Sequence, residues 1–458
     1  MTASHLMVPD TVSARAHRFK RFGTAFGPRF FVLLIAGVMW LGPAYYEPRF
    51  AYAMVGWDVL VVCAWLLDAW RLPVPEALIM RRSWETPPAL SVPSRVTLTL
   101  VNESATTVRA MIVDTASSRM CRQPPELRID AGPRSEAQAE YAVLPSARGE
   151  MVFGDAYIRY QSPLRIAERW ARAGIGQTVV AYPNLDEAKR ESVRVVRGRQ
   201  AEIERRSRRR RGAGRSFESL REYQSGDEVR DICWTASARR GKLVTRVYEI
   251  ERSQSIWIVI DAGRLMRARV SNLTKLDHAV NAALTLSQVA LGSGDRVGLL
   301  TYGRQLGHRL PAARGSAHLR RIMDQLALVR AEESEADHLL AAGRLLTDQK
   351  RRSLIVWITD VPDTAMTPEV IAAASQLMGR HLVLFVAMGQ PDLQAVAMRR
   401  ASTPGEMYET AAAREVAHRR DVLLARLRAQ GALALEADTT LSPALVNAYL
   451  DVKQQNRL

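Results

Sequence analysis

The chain has 458 residues, 47% of them hydrophobic and 24% charged, with a formal net charge of +17, which excludes a peptide-sized scaffold or a disordered chain and leaves room for several domains. Its three cysteines, Cys63, Cys121 and Cys233, are widely separated with no CxxC spacing, which argues against a disulfide framework or a zinc site and for a reducing compartment.

Residues 1–29 read as a basic cytoplasmic N-terminus. Apolar runs follow from Phe30 to Tyr46 and from Phe50 to Trp70, parted only by Glu47, Pro48 and Arg49. A bilayer is crossed in about 20 residues, with about 17 as the lower limit, so 30–70 reads as two transmembrane helices in a tight hairpin. A buried soluble hairpin is the competing reading. A signal peptide cleaved at "AYA" (51–53) is opposed by the second apolar run that follows at once. Arg15, Arg18, Lys20, Arg21 and Arg29 precede the hairpin and Arg71, Arg81 and Arg82 follow it, whereas the turn has only Arg49. The positive-inside rule therefore predicts a two-pass protein of the cytoplasmic (inner) membrane with both termini cytoplasmic. Asp58 falls inside the second span, where an ionised carboxylate costs about 2.5 to 3.5 kcal/mol. It should face protein or water, through a helix–helix contact or a role in ion movement.

From 75 to 184 the pattern changes to short alternating runs, "RVTLTLVN", "RAMIVD", "AEYAVL" and "QTVVAYP", separated by turn-forming stretches. Period-two alternation of this kind predicts an antiparallel β-sandwich, and no catalytic constellation appears within it.

Residues 185–250 begin as a basic linker: between Lys189 and Arg215 there are twelve Lys/Arg against three Glu, centred on "RRSRRRRGAGR" (Arg205 to Arg215). Such a run serves as a solvated linker, or it meets nucleic acid, anionic lipid or an acidic protein surface. The stretch that follows combines Glu218, Arg221, Glu222, Asp227, Arg230, Asp231, Arg239, Arg240 and Lys242 with Phe217, Tyr223 and Trp234. Mixed charge signs with aromatic anchors suit an interdomain or partner surface. Trp234 is expected to be buried there. GxxxxGK[ST] is absent, so ATP binding by this chain is not expected.

In 251–458 compact β-rich runs, "SIWIVID", "DRVGLLTYG", "SLIVWITD", "HLVLFVAMG" and the weaker "GALALEA", alternate with helical stretches. This predicts an α/β doubly wound, Rossmann-type sheet, whose ligand sites lie at the carboxyl ends of the strands. Asp261 and Asp360 occupy such ends. His278 and His338 read as ordinary helix residues, and no Ser-His-Asp set can be argued.

The segment "RSFESLREYQSGDEVRDICWTASARRGKLVTRVYE" (215–249) resembles the signature of the family known as domain of unknown function 58, membrane proteins with a von Willebrand factor A-like domain found beside MoxR-type AAA+ ATPases. It departs at Cys233, where the family places an Asp. The resemblance implies a von Willebrand A-like fold for 251–458, a MoxR-type ATPase as partner, and a magnesium site made by Asp-x-Ser-x-Ser, a Thr and a later Asp, all hard oxygen ligands. Here the first motif reads Asp261, Ala262, Gly263, Arg264, Leu265, and the loop "EESEADHLL" offers Ser334, Glu335 and Asp337 but no threonine. Asp261 and Asp360 remain as remnants of a degenerate site, and Arg264 is expected to supply the counter-charge in place of a metal. The chain thus reads as a membrane-anchored, non-enzymatic protein-interaction module without cofactor. It would work with a MoxR-type ATPase in assembly or maturation of a client, with membrane lipid as a further contact of the basic run. The alternative is a membrane-proximal nucleic-acid-binding protein using Arg205–Arg215.

Overall fold

The structure is a computed structural model that describes residues 8–19, 23–162, 164–184, 219–223, 234–247, 254–360, 368–437 and 441–455, with scattered positions between 187 and 194. The chain divides into two compact units near residue 185.

In the first unit the strands pair antiparallel, eight of them in the order Glu126–Ala131, Val108–Asp114, Ala156–Gln161, Ala167–Ala173, Val12–Arg18, Leu78–Trp84, Ser94–Asn102, Ser135–Val143, with Thr24–Phe26 added on Ala167–Ala173 and Gly149–Phe153 paired separately with Gln177–Ala181. The alternating runs read from sequence form strands, and their inward residues, among them Leu78, Met80, Leu98, Leu100, Ile112 and Ile158, make one core. Within the basic N-terminal residues 1–29, Val12–Arg18 forms a strand. Its first half pairs with Leu78–Trp84 (Val12 with Arg82) and its second half with Ala167–Ala173 (Ala16 with Ala173). A strand that changes partner midway joins two sheets, and Ala16 is fully buried at the joint. The segment alternates only weakly because its exposed face carries Arg15 and His17 and its buried face mostly alanine, so charge hid the strand.

In sequence, between Val12–Arg18 and its partner strand Leu78–Trp84, comes the apolar hairpin, Pro28–Tyr46 and Arg49–Arg71, both long and apolar enough to cross a membrane. The helices approach closely at Gly37, where an added Cβ would stand 2.7 Å from the Trp57 ring and 3.0 Å from Asp58 Oδ1. Trp57 Nε1 also donates to the Leu33 carbonyl at 2.8 Å. Asp58 therefore sits at the helix–helix contact.

The second unit centres on a six-stranded sheet, in the order Leu306–Ala313, Arg296–Tyr302, Ser255–Asp261, Leu354–Thr359, Leu382–Met388, Leu433–Ala437. The five strands from Arg296–Tyr302 onward are parallel and Leu306–Ala313 is an antiparallel edge. That edge strand is not legible from periodicity, because "LGHRLPAA" has one exposed face and carries Pro311. Trp257, Val259, Trp357 and Phe385 pack with Leu345, Leu377, Leu423 and Leu427 of the helices His338–Asp348, Pro368–Met378 and Pro404–Ala429. The alternate residues Ile256, Ile258 and Ile260 are fully buried outside that cluster. The sheet is thus covered on both faces, as its near-continuous apolar strands require. Ahead of it, Ser219–Glu222 and Val244–Val247 pair antiparallel around the helix Trp234–Arg240.

Candidate site at the carboxyl edge of the parallel sheet

Strand Ser255–Asp261 ends on a carboxylate that is 3% exposed. Its Oδ1 accepts from the Gly263 amide at 2.7 Å and its Oδ2 from Thr359 Oγ1 at 2.5 Å. Burial, with smaller contributions from Asp360 and Glu332, pushes the Asp261 carboxyl up to about 6 against those two hydrogen bonds. On the neighbouring strand end, Asp360 Oδ2 accepts from Lys275 Nζ at 2.5 Å, with both side chains 1% exposed. Gln390 Nε2 lies 3.3 Å from the same oxygen, and Asp360 Oδ1 is buried with no hydrogen-bond partner among the described residues.

Lys275 is the first residue of helix Lys275–Gly292, held by a capping box in which Thr274 and Asp277 exchange hydrogen bonds. Burial pushes its ammonium below the usual lysine value, Asp360 opposes the shift, and Arg420 adds to it. Arg420 is itself buried, donates to the Met388 carbonyl and lies 3.1 Å from Glu436 Oε1. Beside Asp261, whose hydrogen-bond partners are neutral, the carboxyl edge thus carries two ion pairs, Lys275–Asp360 and Arg420–Glu436, with both cations supplied by helices.

Arg264 does not supply the counter-charge expected of it. Its guanidinium turns outward to Glu335 (2.6 and 3.2 Å), an exposed pair. The cation is Lys275, which sequence reading missed although a signal exists: lysine in the first turn of a helix opposes the helix dipole unless a carboxylate faces it. Ser334, Glu335 and Asp337 have local roles. Ser334 Oγ donates to Glu332, and Asp337 caps the helix His338–Asp348 by accepting from the Leu340 amide. Gly263 has no room for the missing serine, because an added Cβ would lie 2.9 Å from the Ala336 nitrogen.

His338 is more than an ordinary helix residue. It is buried, its Nδ1 stands 3.0 Å from Tyr302 Oη, and Trp357 Nε1 reaches the same hydroxyl at 2.5 Å. The indole can only donate, so Tyr302 Oη accepts from Trp357, and the direction of the Tyr302–His338 bond follows from the imidazole tautomer. Burial lowers the His338 pKa to about 4.

In the signature segment, Trp234 is not buried but 64% exposed. It begins the short helix Trp234–Arg240, and the side chain that helix inserts against the strand is Ser237, which accepts from the Val244 amide at 2.9 Å. Tyr223 is half-buried, Arg239 and Lys242 are exposed, and Lys242 pairs with Glu222 at 3.1 Å. Arg221 and Arg240 lie in the strand and the helix respectively, without described side chains. Phe217, Glu218, Asp227 and the Arg205–Arg215 run lie outside the described residues.

A family model described as protein of unknown function DUF58 matches residues 219–398. The uncharacterized protein Rv1480 of Mycobacterium tuberculosis is 27% identical over 229 residues, covering 46% of this chain and 71% of that protein. The uncharacterized protein YeaD of Bacillus subtilis is 26% identical over 117 residues, covering 26% of this chain and 27% of that protein. Among solved structures, the conserved hypothetical protein BatB from Bacteroides thetaiotaomicron superimposes with a TM-score of 0.31 at 14% identity, covering 45% of this chain and all of that one. At that level of superposition no shared architecture follows. The family resemblance carried by residues 215–249 is shown by the match to 219–398.

Proposed function

We propose, from the premise that residues 219–398 are a DUF58 segment, that the protein is a membrane-anchored, non-enzymatic protein-interaction module. In this reading the second unit is a von Willebrand A-like domain whose metal site is replaced by an internal ion pair, and its partner is a MoxR-type AAA+ ATPase. The observation that carries it is the Lys275–Asp360 pair at the carboxyl edge of the sheet. A divalent cation needs several hard oxygens converging on one point. The residues present do not fit that need: both serines are replaced, Gly263 is closed in by Ala336, and an ammonium already occupies an oxygen of Asp360. Acid–base work is disfavoured by the internal partners of both oxygens of Asp261 and of Oδ2 of Asp360, while Asp360 Oδ1 is enclosed away from solvent. Partner contact then falls to exposed groups such as Trp234, Arg239 and Lys242, which combine an aromatic anchor with charge.

The anchor is the hairpin 30–70, with both of its ends on one side of the membrane. In support, the strand before it (Val12–Arg18) and the strand after it (Leu78–Trp84) pair in one sheet. With the excess of arginine outside the turn, that side is the cytoplasm. The deciding experiment captures the purified full chain in nanodiscs and measures binding of a MoxR-type ATPase with and without magnesium chelation. Metal-independent binding supports the reading. Binding that requires the metal, in the absence of ATP, refutes the metal-free mode, and no binding refutes the partner.

A further inference from the structure

The outer face of the sandwich next to the hairpin carries a basic depression of about 630 Å³, lined by Arg109, Arg128, Arg159 and Arg165 with Gln161 and one carboxylate, Asp130. Register explains the gathering. Asp130, Arg109 and Gln161 are Cα partners across three adjacent strands, and Arg128, Met111 and Arg159 form the next row on the same face. Residues two apart on a strand share a face, so Arg109, Arg128 and Arg159 converge from three strands, and Arg165 joins them from the turn that follows Ser162.

The depression has a built wall. Glu168, on the next strand and 4% exposed, accepts from Arg159 Nε at 2.9 Å, from Gln161 Nε2 at 3.0 Å and from Trp170 Nε1 at 3.1 Å. The Arg159 guanidinium also lies 5.8 Å from the Trp170 ring. Arg128 and Arg165 are exposed and have no hydrogen-bond or ion-pair partner for their guanidinium groups among the described residues. Arg109 pairs with Asp130 at 3.9 Å and Arg159 with Glu168 at 2.8 Å, so two of the four cations are balanced and the charges of Arg128 and Arg165 are left over.

Its place relative to the hairpin names the ligand. Asp68, in the last turn of the second apolar helix, is 2% exposed and accepts from Ser162 Oγ (2.7 Å) and from the amides of Ile166 (3.2 Å) and Ala167 (2.8 Å). The first helix is fixed to the same loop, with the Gly27 amide on the Ile166 carbonyl at 2.7 Å and Arg29 Nη1 on the Leu164 carbonyl at 3.1 Å. Helix Phe50–Arg71 has 22 residues, about 33 Å at 1.5 Å per residue, which matches a hydrocarbon core of about 30 Å. Loop 162–166 therefore meets the membrane at its headgroup layer. Arg165 is in that loop, and Gln161 and Arg159 are one and three residues from Ser162, within roughly 10 Å along a strand. Leu164, beside Arg165, is 48% exposed and would turn its apolar side chain toward the acyl boundary.

We infer that this depression binds the phosphate-bearing headgroup of an anionic phospholipid at the foot of the hairpin. The inference rests on the membrane reading of residues 30–70. Several guanidinium groups in fork geometry suit a phosphate, and each basic residue near an anionic bilayer strengthens attachment about five-fold. A soluble phosphate shares this chemistry, so the source is settled by the probe.

The test uses the full chain in nanodiscs of phosphatidylcholine alone or with one third phosphatidylglycerol, and reads the melting midpoint and the lipids retained in native mass spectrometry. The expected result is a higher midpoint and retained phosphatidylglycerol in the mixed discs. Both should be lost in Arg128→Gln/Arg165→Gln, whose residues are exposed and whose melting in phosphatidylcholine should match the unmodified chain. Equal midpoints in the two lipids, or a shift kept by the double variant, overturn the site. Glycerol phosphate or inorganic phosphate at millimolar concentration giving the same shift in phosphatidylcholine discs overturns the lipid source. Recovery of the chain in the soluble fraction without detergent overturns the membrane reading itself, a result distinct from insertion without lipid preference.

Discussion

Lys275 Nζ stands 2.5 Å from Asp360 Oδ2 with both side chains essentially out of water, so the second unit carries a buried ion pair where its strand ends would otherwise gather free carboxylates. Removing one member strands the other charge, which costs about 3 to 5 kcal/mol, whereas replacing both by apolar groups is often neutral. Lys275→Met alone and Asp360→Leu alone should each lower the unfolding midpoint sharply, and the double variant should recover most of the loss. A double variant no more stable than the worse single one would mean that the pair is not the unit of stability.

The same pair sets the response to metal. The unmodified chain should show no magnesium- or manganese-dependent rise in melting temperature at millimolar metal, because only a ligand in excess of its dissociation constant stabilises. Lys275→Ala frees Asp360 Oδ2 and leaves Asp261 beside it, so this variant should gain a metal-dependent shift, lost again on adding Asp360→Asn. A metal-dependent shift in the unmodified protein that Asp261→Ala abolishes would overturn the metal-free reading.

Two buried groups should oppose each other with pH. Asp261 has its folded pKa raised from 3.8 to about 6, so between these values the folded state binds more protons than the unfolded chain, and stability falls as pH rises from about 4 to 6. His338 has its folded pKa lowered from 6.5 to about 4, so the unfolded chain binds more protons there and stability rises with pH. Each shift is worth about 3 kcal/mol. Asp261→Asn should therefore leave a stability that climbs from pH 4 to 6.5, and His338→Gln one that declines from pH 4 to 6, both relative to the unmodified protein in denaturant titrations. Parallel profiles for the two variants would refute the assignment of charge states.

Much of this fold could be read from periodicity, and the exceptions have a physical pattern. The runs "SIWIVID" and "SLIVWITD" are buried on both faces and announce themselves as core strands. Val12–Arg18 escapes periodicity because one face is exposed and charged and mostly alanine fills the other, and Leu306–Ala313 because its outward face is exposed, its inward face only half-buried and it carries Pro311. At the site, strand-end position identified Asp261 and Asp360, but sequence proximity pointed to Arg264 when the true counter-ion, Lys275, comes from the helix beyond a short antiparallel turn, Arg269–Val270 with Leu273–Thr274. Local sequence shows which groups need a partner. The topology decides which partner arrives.

At the foot of the hairpin, Asp68 fixes the second helix to the sandwich through three accepted hydrogen bonds, and Arg169 closes the helix end by donating to the carbonyls of Ala69, Leu72 and Pro73. Asp68→Ala takes the acceptor from the buried Ala167 amide and the part-buried Ile166 amide, at roughly 1 to 3 kcal/mol for a buried donor left unsatisfied. The expected outcome is faster proteolysis within 162–167 in detergent and a lowered melting midpoint. An unchanged digestion pattern would show that the helix and the sheet are joined by other contacts.

Trp234 gives the sharpest division between stability and recognition. With 64% of its surface exposed on the first residue of helix Trp234–Arg240, it cannot contribute as a core side chain, and truncation at an exposed position is usually within about 0.5 kcal/mol. Trp234→Ala should thus melt like the unmodified chain. Trp234 begins the short helix that also carries the exposed Arg239, and tryptophan anchors at interface centres are worth about 2 kcal/mol or more, roughly 30-fold in affinity. Binding of the MoxR-type ATPase to nanodisc-held protein should therefore weaken by about that factor in Trp234→Ala, while Trp234→Phe retains part of the affinity through its remaining apolar area. Wild-type affinity in the alanine variant would move the partner surface away from this helix, and a large loss of thermal stability would return Trp234 to a buried role.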